Sequence, residues 1–161
     1  MTNEKRKIVS VWLILNDGAN KGKAVLQKRS QIEKRFPYVC QTTWAGKVEL
    51  GEDVFDALIR ECNEELGGEF GKSFDFSKLK LYSKHDFARA EDGAIWESYD
   101  YFANVNENEL LNVKLHEGAF PDFIYADKLN LNQLKSGKNP LENNVLFDDQ
   151  YIVLKEILNG N

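Results

Sequence analysis

The sequence is short of cysteine and has no long apolar run, and each shortage excludes a class of protein. Two cysteines among 161 residues do not support a disulfide scaffold, and their spacing is not that of a metal site. No apolar window is long enough to cross a bilayer, so we expect no membrane partner. The short run at residues 8–15 predicts a buried strand instead of a signal peptide. The two thiols fit a reducing compartment, so the expected location is the cytoplasm.

Positive charge is also in short supply. The chain has 21 Lys and Arg against 26 Asp and Glu, which gives a net charge of −5 and a pI near 5.2. Sequence-independent binding to nucleic acid needs clustered basic side chains, so we expect no nucleic acid partner. An acidic protein that binds phosphate groups must recruit cations to do so.

The composition, with 42% hydrophobic and 12% aromatic residues, predicts one globular domain over residues 1–161. The predicted strands are residues 8–15, 23–29, 38–48, 76–90, 94–105 and 120–126, and the predicted helices are residues 52–66 and 144–158. The first two strands should pair as a hairpin, as should the fourth and fifth. Gly67 and Gly68 are the expected stop of the first helix. This order predicts an α/β fold with a mixed sheet covered by helices on both faces.

The first predicted helix carries a concentration of negative charge. Helical spacing places Glu61, Glu64 and Glu65 within an arc of about 100°. Like charges one turn apart destabilise a helix by about 0.2–0.5 kcal/mol per pair, and anions are unfavourable near a helix C-terminus. One interpretation is a solvated acidic face. The other is a site for Mg²⁺ or Mn²⁺, since these ions prefer such oxygen ligands and function often overrides local propensity.

The spacing around these glutamates resembles the signature of the Nudix hydrolases. All seven fixed positions of that signature match, namely Gly46, Glu52, Arg60, Glu61, Glu64, Glu65 and Gly67. Cys62 and Gly68 stand where bulky aliphatic residues are usual. The resemblance covers residues 46–68, and it implies the Nudix fold, an α/β mixed sheet sandwiched between helices.

The resemblance implies a MutT-like hydrolase that cleaves a nucleoside diphosphate linked to another group, with Mg²⁺ as cofactor and Mn²⁺ as a substitute. It implies Glu61 and Glu65 as the principal metal ligands, Glu64 as a third ligand or one that acts through water, and the carbonyl of Ala45 as a further contributor. Arg60 and Glu52 are expected to support these ligands. The expected partner is a small nucleotide or another diphosphate, and a homodimer is common among such enzymes.

The general base is open among three glutamates. Glu64 lies on the helix itself, Glu117 lies in a loop before the last predicted strand, and Glu97 lies on a strand. His116, next to Glu117, is interpreted as an ordinary loop histidine. The resemblance alone therefore leaves the base unassigned.

Three further residues are candidates for substrate binding. Arg29 closes the second predicted strand, where many Nudix relatives place an arginine that meets phosphate, although an exposed structural arginine is the alternative. Gly46 lies beside the acidic helix in the motif. Trp44 is a candidate for stacking on a base, as are Phe87, Trp96 and Tyr99, although most aromatic residues in such runs are core.

Two other functions compete with hydrolysis. The isopentenyl diphosphate isomerase branch of the family has a cysteine directly before the motif glycine and a histidine after it, but Ala45 and Lys47 occupy those places here. A nucleotide-sensing module without catalysis is the second alternative. Such modules tend to lose motif glutamates or to carry a DNA-binding domain, and neither feature is seen in this sequence.

Overall fold

The computed structural model describes residues 5–28, 40–89, 92–114, 123–127, 131, 146 and 148–160. The predictions for Arg29, His116 and Glu117 lie outside these residues. The strands are β1 (Lys7–Leu15), β2 (Ala24–Lys28), β3 (Cys40–Gln41), β4 (Trp44–Lys47), β5 (Lys80–Ala88), β6 (Ile95–Val105) and β7 (Phe123–Ala126). The helices are α1 (Val54–Leu66), α2 (Gly68–Ser73) and α3 (Asp148–Gly160), with short 3₁₀ turns at Phe76–Lys78 and Glu107–Leu110.

The strand at the centre of the sheet is β1. It runs parallel to β6, with Val9 opposite Tyr99. It runs antiparallel to β4, with Val9 opposite Gly46, and to β2, with Leu13 opposite Val25. β5 pairs antiparallel with β6, and β7 pairs antiparallel with β2. These pairings confirm the predicted mixed sheet and both predicted hairpins.

Helices cover both faces of this sheet. Successive side chains of β1 point to opposite sides, so the two faces pack against different helices. Val9 and Val11 belong to a buried cluster that includes Leu58 of α1. Trp12 belongs to a second cluster, on the other face, that includes Leu154 of α3. The predicted arrangement of a sheet between helices is therefore confirmed.

The ends of α1 follow from single residues. The Asp53 carboxylate accepts a hydrogen bond from the N–H of Phe55 at 2.8 Å, which caps the helix start. The helix ends at Leu66 because Gly67 has φ 93° and ψ 148°, a conformation that glycine alone adopts readily. The predicted stop of α1 is thus confirmed. However, a second helix, α2, starts directly at Gly68, where the sequence predicted none.

One long strand was predicted over residues 38–48, but the chain forms β3 and β4, with Thr42 and Thr43 between them. The hydroxyl of Thr43 accepts a hydrogen bond from the N–H of Leu13 at 2.9 Å and donates one to the carbonyl of Val25 at 2.6 Å. Thr43 is fully buried. A single hydroxyl at the break between β3 and β4 therefore satisfies two buried backbone groups, one on β1 and one on β2.

Replacing Thr43 with valine is expected to lower the free energy of unfolding by about 2–4 kcal/mol, because two buried backbone groups lose their partner. Urea denaturation followed by circular dichroism measures the change. Thr43→Ser is the matched control, since it keeps the hydroxyl and should cost clearly less. A valine variant as stable as the serine variant would contradict this account.

A polar cluster links the sheet to the start of α3. The Nδ1 atom of His85 lies 3.3 Å from a carboxylate oxygen of Asp100 on β6, and its Nε2 lies 3.2 Å from one of Asp149 on α3. The hydrogen bond to Asp149 raises the pKa of His85. Burial raises the pKa of Asp100 to about 6. His85 therefore holds β6 and α3 together best when it is protonated.

We expect the free energy of unfolding to fall as the pH rises through the folded pKa of His85. That pKa lies above the unfolded value of about 6.5, so the stabilisation is complete below about pH 6.5 and is lost above the folded pKa. The raised pKa of Asp100 acts in the same direction, between about pH 4 and pH 6.

Denaturation of the His85→Asn variant between about pH 6 and pH 8 tests this expectation, since the variant should show a flatter pH dependence than the wild type. His116→Asn replaces the other histidine of the chain and is the matched control. An unchanged slope in the His85 variant would show that the cluster does not set the pH dependence.

Candidate functional site

Trp44 holds β4 and α1 side by side. Its ring makes edge-to-face contacts with Phe70 and Phe74, and its Nε1 donates a hydrogen bond to the carbonyl of Leu58 at 3.0 Å. The side chain has no exposed surface. Its ring therefore belongs to the core and positions α1 against the strand, and a contact of Trp44 with the substrate stays a prediction that these contacts do not favour.

Two carboxylates of α1 reach the backbone of β4. The carboxyl group of Glu61 lies so close to Gly46 that a Cβ atom at this position would overlap it. An oxygen of Glu65 accepts a hydrogen bond from the N–H of Ala45 at 3.0 Å. The lack of a side chain at residue 46 is thus what lets α1 place Glu61 beside the strand. Contact of Gly46 with a substrate stays a prediction.

Arg60 connects these carboxylates to the segment before the helix. Its Nε and Nη2 donate to the two oxygens of Glu52, each at 2.9 Å, and Nη2 also donates to the carbonyl of Lys47 at 2.9 Å. Its Nη1 donates to Glu61 at 2.8 Å. The hydrogen bonds from Arg60 lower the pKa of Glu52 to about 2, and those to Glu52 raise the pKa of Arg60. The guanidinium therefore fixes the position of Glu61 through several bonds at once.

Glu61, Glu64 and Glu65 together form what we call the acidic patch. Glu64 is the most exposed of the three, and its carboxylate lies 3.4 Å from Nη1 of Arg60, farther than that of Glu61. The apolar side of α1 next to the patch is buried, with Leu58 and Cys62 in the core. The structure thus places the acidic and apolar sides of α1 as the helical spacing predicted.

The acidic patch has the chemistry of a divalent cation site. Its donors are hard oxygens, and Gly46 leaves room for Glu61 beside them. Among the residues described, however, no three acidic, histidine or cysteine side chains converge on one point at ligand distance. Glu61 accepts a hydrogen bond from Arg60, and Glu65 accepts one from the N–H of Ala45. The residue types of the acidic patch fit a hard divalent ion.

Glu97 lies apart from the acidic patch. The hydroxyl of Tyr99 donates a hydrogen bond to Glu97 at 2.7 Å, and the Nζ atom of Lys84 lies 3.8 Å from its other oxygen. The register of the sheet places Tyr99 two strands away from Gly46, or about 10 Å across the sheet. Among the three candidate bases, Glu64 lies in the patch, Glu97 does not, and Glu117 lies outside the described residues.

Sequence reasoning missed two backbone contributions from β4. The carbonyl of Lys47 accepts a hydrogen bond from Arg60, and the N–H of Ala45 donates one to Glu65. Both residues flank the motif glycine, but backbone groups leave no trace in a residue pattern. The predicted role of the Ala45 carbonyl as a metal ligand stays a prediction, as does the phosphate contact of Arg29.

Residues 5–143 match the NUDIX domain family, so the chain belongs to this family. Membership confirms the resemblance carried by the motif and agrees with the mixed sheet between helices. The family indicates a hydrolase that acts on pyrophosphate bonds, and its enzymes generally use divalent metal ions. In the part of the chain that the structure describes, every helix is too short or too polar to cross a bilayer.

Three known proteins show how far the likeness extends. The NUDIX domain of Shewanella oneidensis NrtR, solved with ADP ribose, has a TM-score of 0.67 at 10% identity, over 99% of this chain and 91% of that one. A NUDIX hydrolase from Alicyclobacillus acidocaldarius has a TM-score of 0.66 at 16% identity, over 99% of this chain and 93% of that one. At such identities these likenesses show the fold alone.

The third protein is the isopentenyl-diphosphate Delta-isomerase of Escherichia coli O9:H4 (strain HS). It is 41% identical to this chain over 49 residues, which are 30% of this chain. The match spans 27% of the isomerase. The similarity is therefore local.

Replacing Gly46 with alanine is expected to displace the Glu61 carboxylate and to weaken Mn²⁺ binding about tenfold or more, with the fold retained. Titration calorimetry measures the affinity. Gly68→Ala is the matched control, because no atom lies within 4 Å of a Cβ at residue 68. Equal Mn²⁺ affinity in the two variants would show that the close approach at Gly46 does not shape the site.

Proposed function

We propose that the protein is a Mg²⁺-dependent pyrophosphohydrolase. It cleaves a nucleoside diphosphate linked to another group, such as a nucleoside triphosphate, by attack of water on phosphorus. The observation that carries the proposal is the placement of Glu61 and Glu65 against β4, with Arg60 held beside them by Glu52. Mn²⁺ is the expected substitute for Mg²⁺. A small nucleotide substrate agrees with a net charge of −5, which disfavours a nucleic acid.

Electrostatic repulsion is the reason that a cation belongs to this proposal. The acidic patch and a diphosphate are both negatively charged, so they repel each other unless a cation lies between them. Glu61, Glu65 and the carbonyl of Ala45 would hold the ion, and Glu64 would reach it through water. When bound, Mg²⁺ polarises phosphoryl oxygens and lowers the pKa of a coordinated water.

Arg60 and Glu52 position the acidic patch and do not react themselves. Glu52 accepts hydrogen bonds from Nε and Nη2 of Arg60. This leaves Nη1 as the group that donates to Glu61 and Glu64. One donor group neutralises only part of the charge of the patch, which leaves the carboxylates attractive to a divalent ion. The ion pair thus orients the ligands without replacing the metal.

We assign the general base to Glu64. It is the most exposed carboxylate of the acidic patch, and its contact with Arg60 is longer than that of Glu61. A base must reach the water whose proton it accepts, and an exposed, loosely held carboxylate meets that condition best. Glu117, outside the described residues, is the second candidate.

The isomerase is the competing function, because a 49-residue stretch matches that enzyme. Its reaction needs the cysteine and histidine whose places are taken by Ala45 and Lys47. Cys62 does not supply the missing thiol, because it is buried and its pKa is raised to about 12, mainly by that burial. A thiol of this kind stays protonated and unreactive at neutral pH.

Replacing Glu64 or Glu65 with glutamine is expected to lower turnover by at least about a hundredfold while the fold survives, because each change removes a charge that the cation needs. The measurement is Mg²⁺-dependent release of phosphate products from a panel of nucleotides. The panel includes nucleoside triphosphates, nucleotide sugars and dinucleoside polyphosphates, with isopentenyl diphosphate added to detect isomerisation.

Glu69→Gln is the matched control for these two variants. Glu69 is an exposed glutamate of α2 that pairs with Lys114 at 3.3 Å, outside the acidic patch, so its loss should leave turnover unchanged. Wild-type turnover in both patch variants would remove the site assignment. Conversion of isopentenyl diphosphate without hydrolysis of any nucleotide would favour the isomerase.

A further inference from the structure

The seven-stranded sheet ends at β5 within the described part of the chain. β6 pairs with one side of β5, and no described strand pairs with the other side. Such an edge leaves backbone N–H and C=O groups that can pair with a strand of another chain. The edge of β5 is therefore a candidate interaction surface.

The register of the sheet shows which backbone groups lie on this edge. The N–H of Glu97 in β6 donates at 2.9 Å to the carbonyl of the residue before β1, so Glu97 directs its backbone groups toward β1. Its neighbour Ser98 directs them toward β5, where it lies opposite His85. Along β5 the direction alternates in the same way. The N–H and C=O groups of Lys84 and Asp86 therefore point outward.

Exposed apolar side chains gather beside the same edge. Leu81 and Tyr82 lie on β5 and Ile152 lies on α3, and each of the three is between 40% and 57% exposed. Helical spacing places Ile152 on the side of α3 that carries Asp149 and Glu156, the two residues that contact β5. A partner strand at this edge therefore also covers apolar surface.

The charges on β5 favour a second copy of this chain as the partner. Two identical antiparallel strands are related by a two-fold axis, and residues with outward backbone groups lie opposite each other in the new pair. The registers that place Lys84 opposite Lys84, or Asp86 opposite Asp86, bring like charges together. The register that places Lys84 opposite Asp86 forms two ion pairs instead, one on each side of the axis. Both side chains are about half exposed, so each can take this partner in addition to its present one, Glu97 or Lys5.

We propose that two copies of this chain associate through β5 in this last register, with the two-fold axis at His85. The two His85 rings lie on either side of the axis, and the carboxylates of Asp100 and Asp149 beside each ring offset a positive charge on it. Charged side chains on an edge strand deter pairing with foreign strands, whereas the alternating signs of Lys84 and Asp86 match a copy of the same strand. Because β6 and β1 lie between β5 and β4, the acidic patch stays open in this dimer.

Sedimentation equilibrium at low ionic strength tests the dimer, since salt weakens exposed ion pairs. The wild-type mass should rise from 18.5 kDa toward twice that value as the concentration increases. Asp86→Lys and Lys84→Asp each place like charges opposite each other at both pairs, so each should raise the dimer dissociation constant at least about tenfold. An equimolar mixture of the two variants should recover the wild-type constant, because each ion pair then joins a lysine of one variant to an aspartate of the other.

Glu69→Lys is the matched control, because it makes the same charge change as Asp86→Lys on an exposed residue of α2. This variant should associate like the wild type. A wild-type chain that stays monomeric up to about 1 mM overturns the interface. A dimer that neither β5 variant weakens also overturns it, as does a mixture that associates no better than its two components. Each of these outcomes leaves the proposed hydrolase activity standing, since the acidic patch lies apart from β5.

Discussion

The ion pair between Arg60 and Glu52 is the interaction on which the acidic helix depends. Carboxylates in the C-terminal half of α1 repel one another and oppose the helix dipole. A guanidinium that is fixed at two oxygens of Glu52 supplies positive charge at a constant position beside them. Because the same group donates to the carbonyl of Lys47, it also fastens β4 to α1. The Arg60 side chain therefore offsets the repulsion among the carboxylates of α1 and joins α1 to the sheet.

Packing sets the distance at which this electrostatic arrangement works. Trp44 fills the space under α1 with a large buried ring, and two residues later Gly46 leaves no side chain at all. The large residue holds the helix near the strand, and the small one allows the Glu61 carboxylate to touch it. Two residues of one strand thus set where the acidic patch meets the sheet.

The sequence predicted what depends on local periodicity, including β1, α1 and the acidic patch. It did not predict α2, because the segment that begins at Gly68 is rich in glycine and becomes helical where Phe70 is buried in the core. The burial of Trp44 could not be predicted from the sequence either, since the pattern of aromatic residues in a strand does not show whether they face the core or a substrate. The contacts of His85 with Asp149 join residues far apart in the chain, and no local pattern records them.

The position of β4 at the side of the sheet has a further consequence. Within the described residues β4 pairs with β1 and with no second strand, so the backbone groups on its other side need partners that are not a strand. The Glu65 carboxylate accepts from the N–H of Ala45 there, and Arg60 donates to the carbonyl of Lys47. Side chains of α1 thus occupy the edge at which a strand of another chain would otherwise pair.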